Sequence, residues 1–81
     1  MAARHRYIVT GQVQGVGFRP FIYREASALG LTGTVGNTPE GVCMEVQGSE
    51  ESLTAFAGFT DRLPPLTRIV SLKRDDIPPV P

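Results

Sequence analysis

The chain has 81 residues, with eight basic and eight acidic side chains that cancel. That is enough for one domain with one modest core, and the balance argues against nucleic acid as the main partner. A single cysteine, Cys43, excludes an internal disulfide and a cysteine-based zinc site, and no apolar run approaches the length of a membrane span.

Residues 6–13 read as a strand, with β-branched and aromatic residues ahead of a glycine-rich turn. From residue 18 to 29 the apolar side chains Phe18, Ile22, Ala26 and Leu29 recur at helical spacing, which predicts a helix. Pro20 suits its first turn, and Gly30 followed by Leu31 suits a C-terminal cap. A short strand over residues 31–36 leads into the turn formers Asn37-Thr38-Pro39-Glu40-Gly41. The next strand, residues 42–47, alternates Val42, Met44 and Val46 with Cys43, Glu45 and Gln47, so these two strands make a hairpin. Ser49 is a candidate N-cap, Glu50 and Glu51 favour a first helical turn, and Leu53, Phe56, Ala57 and Leu63 supply the buried stripe. Pro64-Pro65 stops that helix, residues 66–74 return as a strand beside the first, and the prolines at 78, 79 and 81 keep the tail out of a ladder. The order βαββαβ predicts an α/β (α+β) two-layer sandwich of the ferredoxin-like type, an antiparallel sheet with both helices on one face. Residues 1–81 form one domain in this reading, with 76–81 a proline-rich tail or linker that is poorly tied down beside an exposed sheet edge.

The stretch Val13-Gln14-Gly15-Val16-Gly17-Phe18-Arg19 carries the strongest chemical signal. Gly15 and Gly17 permit a backbone curl in which successive N–H groups converge on an anion, and the helix start adds unpaired donors. Arg19 contributes a planar charged fork suited to two phosphate oxygens. Taken singly, each of these glycines is more often a plain turn residue, and a lone arginine at a helix start is more often solvated. Two common nucleotide cradles are excluded: Pro20 stands where a dinucleotide fingerprint requires glycine, and no Walker spacing or Lys-Ser/Thr pair is present.

Charge is unevenly distributed. Residues 1–24 contain four arginines and no acid, residues 25–61 contain six acids and no base, and residues 62–74 are basic again. Pairing of the first and last strands predicts a cationic region suited to a small anion. Acid–base groups are scarce: His5, the only histidine, falls in an N-terminus expected to fray, Lys73 lies at the far end, and no metal-ligand cluster or cofactor motif is present. An acyl phosphate fits that poverty, because its leaving group is already a weak base and the protein need only hold the phosphoryl group and aim water. Asn37 is placed to orient the water, although spacing alone favours a simple turn former there.

The run Val13–Arg19, with Gly33-x-Val35-x-Asn37 and Gly41 after it, resembles the acylphosphatase signature, and the likeness spans nearly the whole chain. The resemblance implies phosphate binding by the backbone of Gly15, Val16, Gly17, Phe18 and Arg19, a clamp by the Arg19 side chain and water positioning by Asn37, so that Arg19 and Asn37 are the catalytic pair. Thr34 departs from the tryptophan usual in stand-alone enzymes. Phe18-Arg19-Pro20-Phe21-Ile22-Tyr23 and Leu63-Pro64-Pro65-Leu66-Thr67-Arg68-Ile69 look like the N-terminal acylphosphatase-like domain of the hydrogenase-maturation carbamoyltransferases. That likeness implies a cytoplasmic protein, carbamoyl phosphate as substrate, inorganic phosphate as product, no metal or other cofactor at this site and no nucleic-acid or membrane partner, with downstream domains of a larger maturation protein as possible neighbours. A stand-alone acylphosphatase of broad range and a catalytically idle anion-binding domain remain the alternatives.

Overall fold

The structure is a computed structural model and describes residues 2–81. Its central strand, β1 (Ala3–Gln12), alternates as the pleat demands: Tyr7 and Val9 turn into the core, while Arg4, Arg6 and Ile8 take the other face. Strand β2 (Thr32–Thr38) and strand β3 (Gly41–Gly48) form the hairpin, and β4 (Arg68–Ile77) closes the sheet in the order β2-β3-β1-β4. Every neighbouring pair is antiparallel. Tyr7 stands between Met44 and Arg74, and Val9 between Val42 and Leu72. Because β1 and β2 both run against β3, they are parallel to each other, and their C-terminal ends lie at one edge of the sheet.

Helix α1 (Phe18–Ala28) buries Phe18, Phe21 and Ile22, while Ala26 and Leu29 are partly buried against the same core. Its C-terminus has the expected cap: the Leu31 amide donates to the Ala26 carbonyl at 2.9 Å and the Gly30 amide to Ser27 at 3.1 Å. Helix α2 (Glu50–Phe56) starts at Ser49, whose hydroxyl accepts from the Ser52 amide at 3.1 Å, and passes into a 3-10 turn, Ala57–Asp61. Both helices lie on one face of the sheet, so the architecture is the ferredoxin-like two-layer sandwich. The second stripe differs from expectation. Ala57 is exposed and Leu63 only partly buried, whereas Leu53, Phe56 and Phe59 are fully enclosed. Their spacing of three fits a segment that tightens to three residues per turn.

Four further expectations are corrected. His5 is not frayed; it sits in β1 between Val46 and Asp76, buried, with Nε2 3.4 Å from the Asp76 carboxylate. The hairpin turn is confined to Pro39 and Glu40, so Asn37 lies in β2 opposite Val42. The basic residues are partly neutralised, because Arg4 pairs with Glu45 at 2.8 Å, Arg62 with Glu25 at 2.7 Å and Arg74 with Asp76 at 3.9 Å. Finally, β4 begins two residues late and runs three residues further, to Ile77, because Pro64–Thr67 is a turn and Asp75, Asp76 and Ile77 find partners on β1.

The tail beyond Ile77 is irregular but held. The Gln47 side-chain amide donates to the Val80 carbonyl and accepts from the Val80 N–H, both at 2.8 Å. Arg4, only 8% exposed, donates to the same Gln47 oxygen at 3.2 Å and to Glu45 through two nitrogens. On β4, Val70 falls at a bulge: Thr10 faces Ser71 and Gly11 faces Ile69, leaving Val70 unpaired and 81% exposed at the sheet edge.

Tyr7 carries a buried hydroxyl with no hydrogen-bond partner among the described residues. Burial pushes the phenol above its ordinary value of 10.0, and the Arg74 charge offsets part of that rise. The folded chain therefore holds this proton more tightly than the unfolded chain, so the associated stabilisation is complete below about pH 10 and is lost as pH climbs through the raised folded value. Thermal melts from pH 8 to 11 should show the wild-type midpoint falling more steeply above pH 10 than that of Tyr7→Phe. Parallel curves for the two proteins would contradict this account. At neutral pH the substitution should be neutral or stabilising, because it deletes an unsatisfied group.

Candidate functional site

The loop between β1 and α1 turns through two left-handed residues, Gly15 at φ 69° and Gly17 at φ 79°. A Cβ at either position would meet no atom within 4 Å, so glycine is needed here for its backbone freedom and not for space. Gly17 is the N-cap of α1, and no side chain caps that end. The first helical bond is the Phe21 amide to the Gly17 carbonyl at 3.1 Å, and Pro20 has no N–H to offer. Among the described residues, no amide from Gln14 to Arg19 donates in the turn, cap or side-chain hydrogen bonds. Several N–H donors and the positive end of the helix dipole therefore face outward together.

Arg19 lies on the first turn of α1, exposed, and joins no ion pair among the described residues. It differs in this from Arg4, Arg62 and Arg74, each of which has a carboxylate nearby. Asn37 is exposed near the end of β2 and makes no side-chain hydrogen bond among the described residues. Its neighbour Thr38 does the turn's work, accepting from the Glu40 amide at 3.2 Å and donating to the Gly41 carbonyl at 3.0 Å. Among the described non-glycine residues only Leu66 has a positive φ, so Asn37 is not serving as a left-handed turn former.

The fold brings these groups to one edge. Asn37 faces Val42, and Val42 faces Val9, so Asn37 stands about 10 Å across the sheet from β1. The glycine loop leaves that same end of β1, and α1 starts above it. The other reactive side chains lie elsewhere. His5 is near the opposite end of β1, and Cys43 is on the face of β3 turned away from the helices. No group of His, Cys, Asp or Glu among the described residues could hold a metal ion.

Two features were not anticipated from sequence. The turn before β4 places Leu66 at φ 71° and 74% exposed, with the Thr67 amide donating to the Pro64 carbonyl at 3.3 Å. Arg68 pairs with Gln12, so this turn flanks the start of the glycine loop. A cleft of about 370 Å³ also runs between α1 and β2, past Ile22, Tyr23 and Val35. Its only sequence signal is an aromatic residue, Tyr23, placed outside the buried stripe of α1.

Comparison with known proteins agrees with this geometry. A sequence profile described as acylphosphatase matches residues 5–81. An acylphosphatase of Caldivirga maquilingensis is 47% identical over 72 residues, covering 86% of this chain and 76% of that protein. Carbamoyltransferase HypF2 of Cupriavidus necator is 51% identical over 67 residues, covering 82% of this chain but 8% of that much longer protein. The crystal structure of full-length HypF in its phosphate- and nucleotide-bound form superposes with a TM-score of 0.90 at 32% identity, over 95% of this chain and 10% of that one. With the match extending from β1 to the end of the tail, the chain belongs to the acylphosphatase family.

Proposed function

We propose that this chain hydrolyses acyl phosphates, with carbamoyl phosphate, cleaved to carbamate and phosphate, as its natural substrate. In this reading it is the N-terminal module of a cytoplasmic carbamoyltransferase that serves nickel–iron hydrogenase maturation. Family membership supports the hydrolysis. The likeness to HypF2 and to the phosphate-bound HypF structure supports the finer assignment. The observation that carries the reading is the run of undonated amides from Gln14 to Arg19 beside an unpaired guanidinium, with the free amide of Asn37 at the same sheet edge. A second reading, a stand-alone enzyme of broad range, is favoured by the 76% coverage of the Caldivirga protein.

The chemistry asks little of the protein beyond position and charge. The amides of Gly15, Val16, Gly17, Phe18 and Arg19 hold the phosphoryl oxygens, and the Arg19 guanidinium spreads the charge that builds on them. Asn37 accepts from and donates to one water, aiming its oxygen in line with the phosphorus. The water oxygen bonds to phosphorus as the bond to the bridging oxygen breaks. The electron pair leaves on the carboxylate or carbamate, and the water's proton passes to phosphate or solvent. Since that leaving group is a weak base, no general acid is needed, consistent with the remote positions of His5 and Cys43.

Assays with carbamoyl phosphate and benzoyl phosphate test the activity, and absence of turnover on both would leave only an idle anion-binding domain. Arg19→Ala should lower turnover by about a hundredfold or more and weaken inorganic phosphate binding, with circular dichroism unchanged. Near wild-type turnover would remove Arg19 from the mechanism. Asn37→Ala should reduce kcat and leave phosphate affinity nearly unaltered, because its role is toward water. A matching loss of phosphate affinity, read by titration calorimetry, would make Asn37 an anion ligand instead. Gly17→Ala forces a side chain into the left-handed region and should cost about 1–2 kcal/mol of stability. It should also weaken phosphate binding, and an unchanged melting point and affinity would show the loop tolerates another conformation.

A further inference from the structure

The cleft between α1 and β2 opens toward the groups just described. α1 runs antiparallel to β2, so its first turn lies at the Asn37 end of the strand and its last turn near Leu31. Along the helix, Tyr23 stands one turn beyond Arg19, about 6 Å on. Along the strand, Val35 precedes Asn37 by two residues on the same face, about 7 Å away. Tyr23, Val35 and Ile22 thus begin the cleft where Arg19 and Asn37 end, and it continues past Ala26 and Gly33 to Leu31. Gly33 carries no side chain and Ala26 only a methyl, which leaves the space open. The walls are mainly apolar, and Tyr23 is 68% exposed although it stands beside this apolar surface.

The geometry points to this cleft as the subsite for the substrate's acyl group, with Tyr23 as its outer wall and Ala26 setting its depth. The assignment rests on the proposed acyl-phosphate hydrolysis and adds a determinant of specificity to it. With the phosphoryl group at the glycine loop, the space between Tyr23 and Val35 offers an apolar direction leading away from it. A carbamoyl or acetyl group fills only the mouth. A flat aromatic acyl group reaches Val35 and can lie against the Tyr23 ring, so an apolar acyl phosphate gains contacts that a small one cannot. The module is then permissive toward aryl and larger alkyl acyl phosphates while still accepting the small carbamoyl phosphate. Ser27, Thr32, Thr34 and Glu45 also line the cleft, but its exposed surface is mainly apolar, so apolar contact dominates this selection.

The test compares kcat/KM for benzoyl phosphate and acetyl phosphate, whose leaving carboxylates are closely similar in basicity. The wild-type ratio should favour benzoyl phosphate by about tenfold, the scale on which an apolar pocket discriminates. Tyr23→Ala removes an exposed wall and should bring that ratio down several-fold. Ala26→Phe fills the cleft and should lower it further, with circular dichroism confirming the fold. If Ala26→Phe does not fold, Tyr23→Ala alone decides. An unchanged ratio in the folded variants, with both substrates still hydrolysed, would overturn the subsite and leave the hydrolytic reading intact. No hydrolysis of either substrate by the wild type would overturn both.

Discussion

The glycine loop is only as well placed as Phe18, the residue on which it ends. Phe18 is 1% exposed and packs edge-on to Phe59 with ring centroids 6.2 Å apart. Phe59 in turn meets Tyr7 at 5.8 Å and Phe56 at 5.3 Å. One ring therefore joins the central strand, the second helix and the first residue of α1. Such contacts add about 0.5–1.5 kcal/mol each beyond the area they bury, and their geometry is directional. Direction is what matters here: a loop with two left-handed glycines has no stiffness of its own. Its course is set because the strand on one side and Phe18 on the other are fixed to the same cluster.

Charge is arranged by a similar economy. Three of the six other arginines are engaged away from the loop, Arg4 beneath the sheet, Arg62 against α1 and Arg74 on the edge strand. Arg62 grips Glu25 through both Nε and Nη2 at 2.7 Å, tying the end of the 3-10 turn to the middle of α1. Exposed ion pairs contribute little stability, and this one is half-exposed on the arginine side, so its use is to register the two helical segments against each other. Arg19, by contrast, keeps its guanidinium free. A neutral chain thereby keeps a free guanidinium beside the glycine loop.

The sequence carried the architecture well because the signals for it are local. The alternation around Val42, Met44 and Val46 fixed a strand, and Gly30-Leu31 announced a helix cap that formed with both expected bonds. Legibility failed where tertiary contacts decide. Phe59 was passed over because a 3.6-residue period predicts Ala57, and only packing against Tyr7 and Phe18 reveals the tighter turn. The sequence alone predicts a frayed His5, because it does not show that Ala3 begins a strand flanked on both sides. Asn37 was read inside the turn, since Asn, Pro and Gly within five residues look like one unit. Thr38, however, closes the turn alone. At the candidate site the loop was legible from its glycines and arginine, whereas the cleft beside it was not, because it consists of side chains that are absent or small.

The grip of Gln47 on Val80 has a consequence for how the tail evolves. A side-chain amide that meets both the N–H and the carbonyl of one residue imitates a neighbouring strand one residue long. It recognises the peptide group and ignores what hangs from it, so position 80 can change freely except to proline, which has no hydrogen to donate. Selection on the tail's course then falls on Gln47, thirty-three residues earlier, and on the buried Arg4 that steadies its oxygen. Substitutions at Gln47 and at the tail should accordingly drift out of step, the former held while the latter wanders.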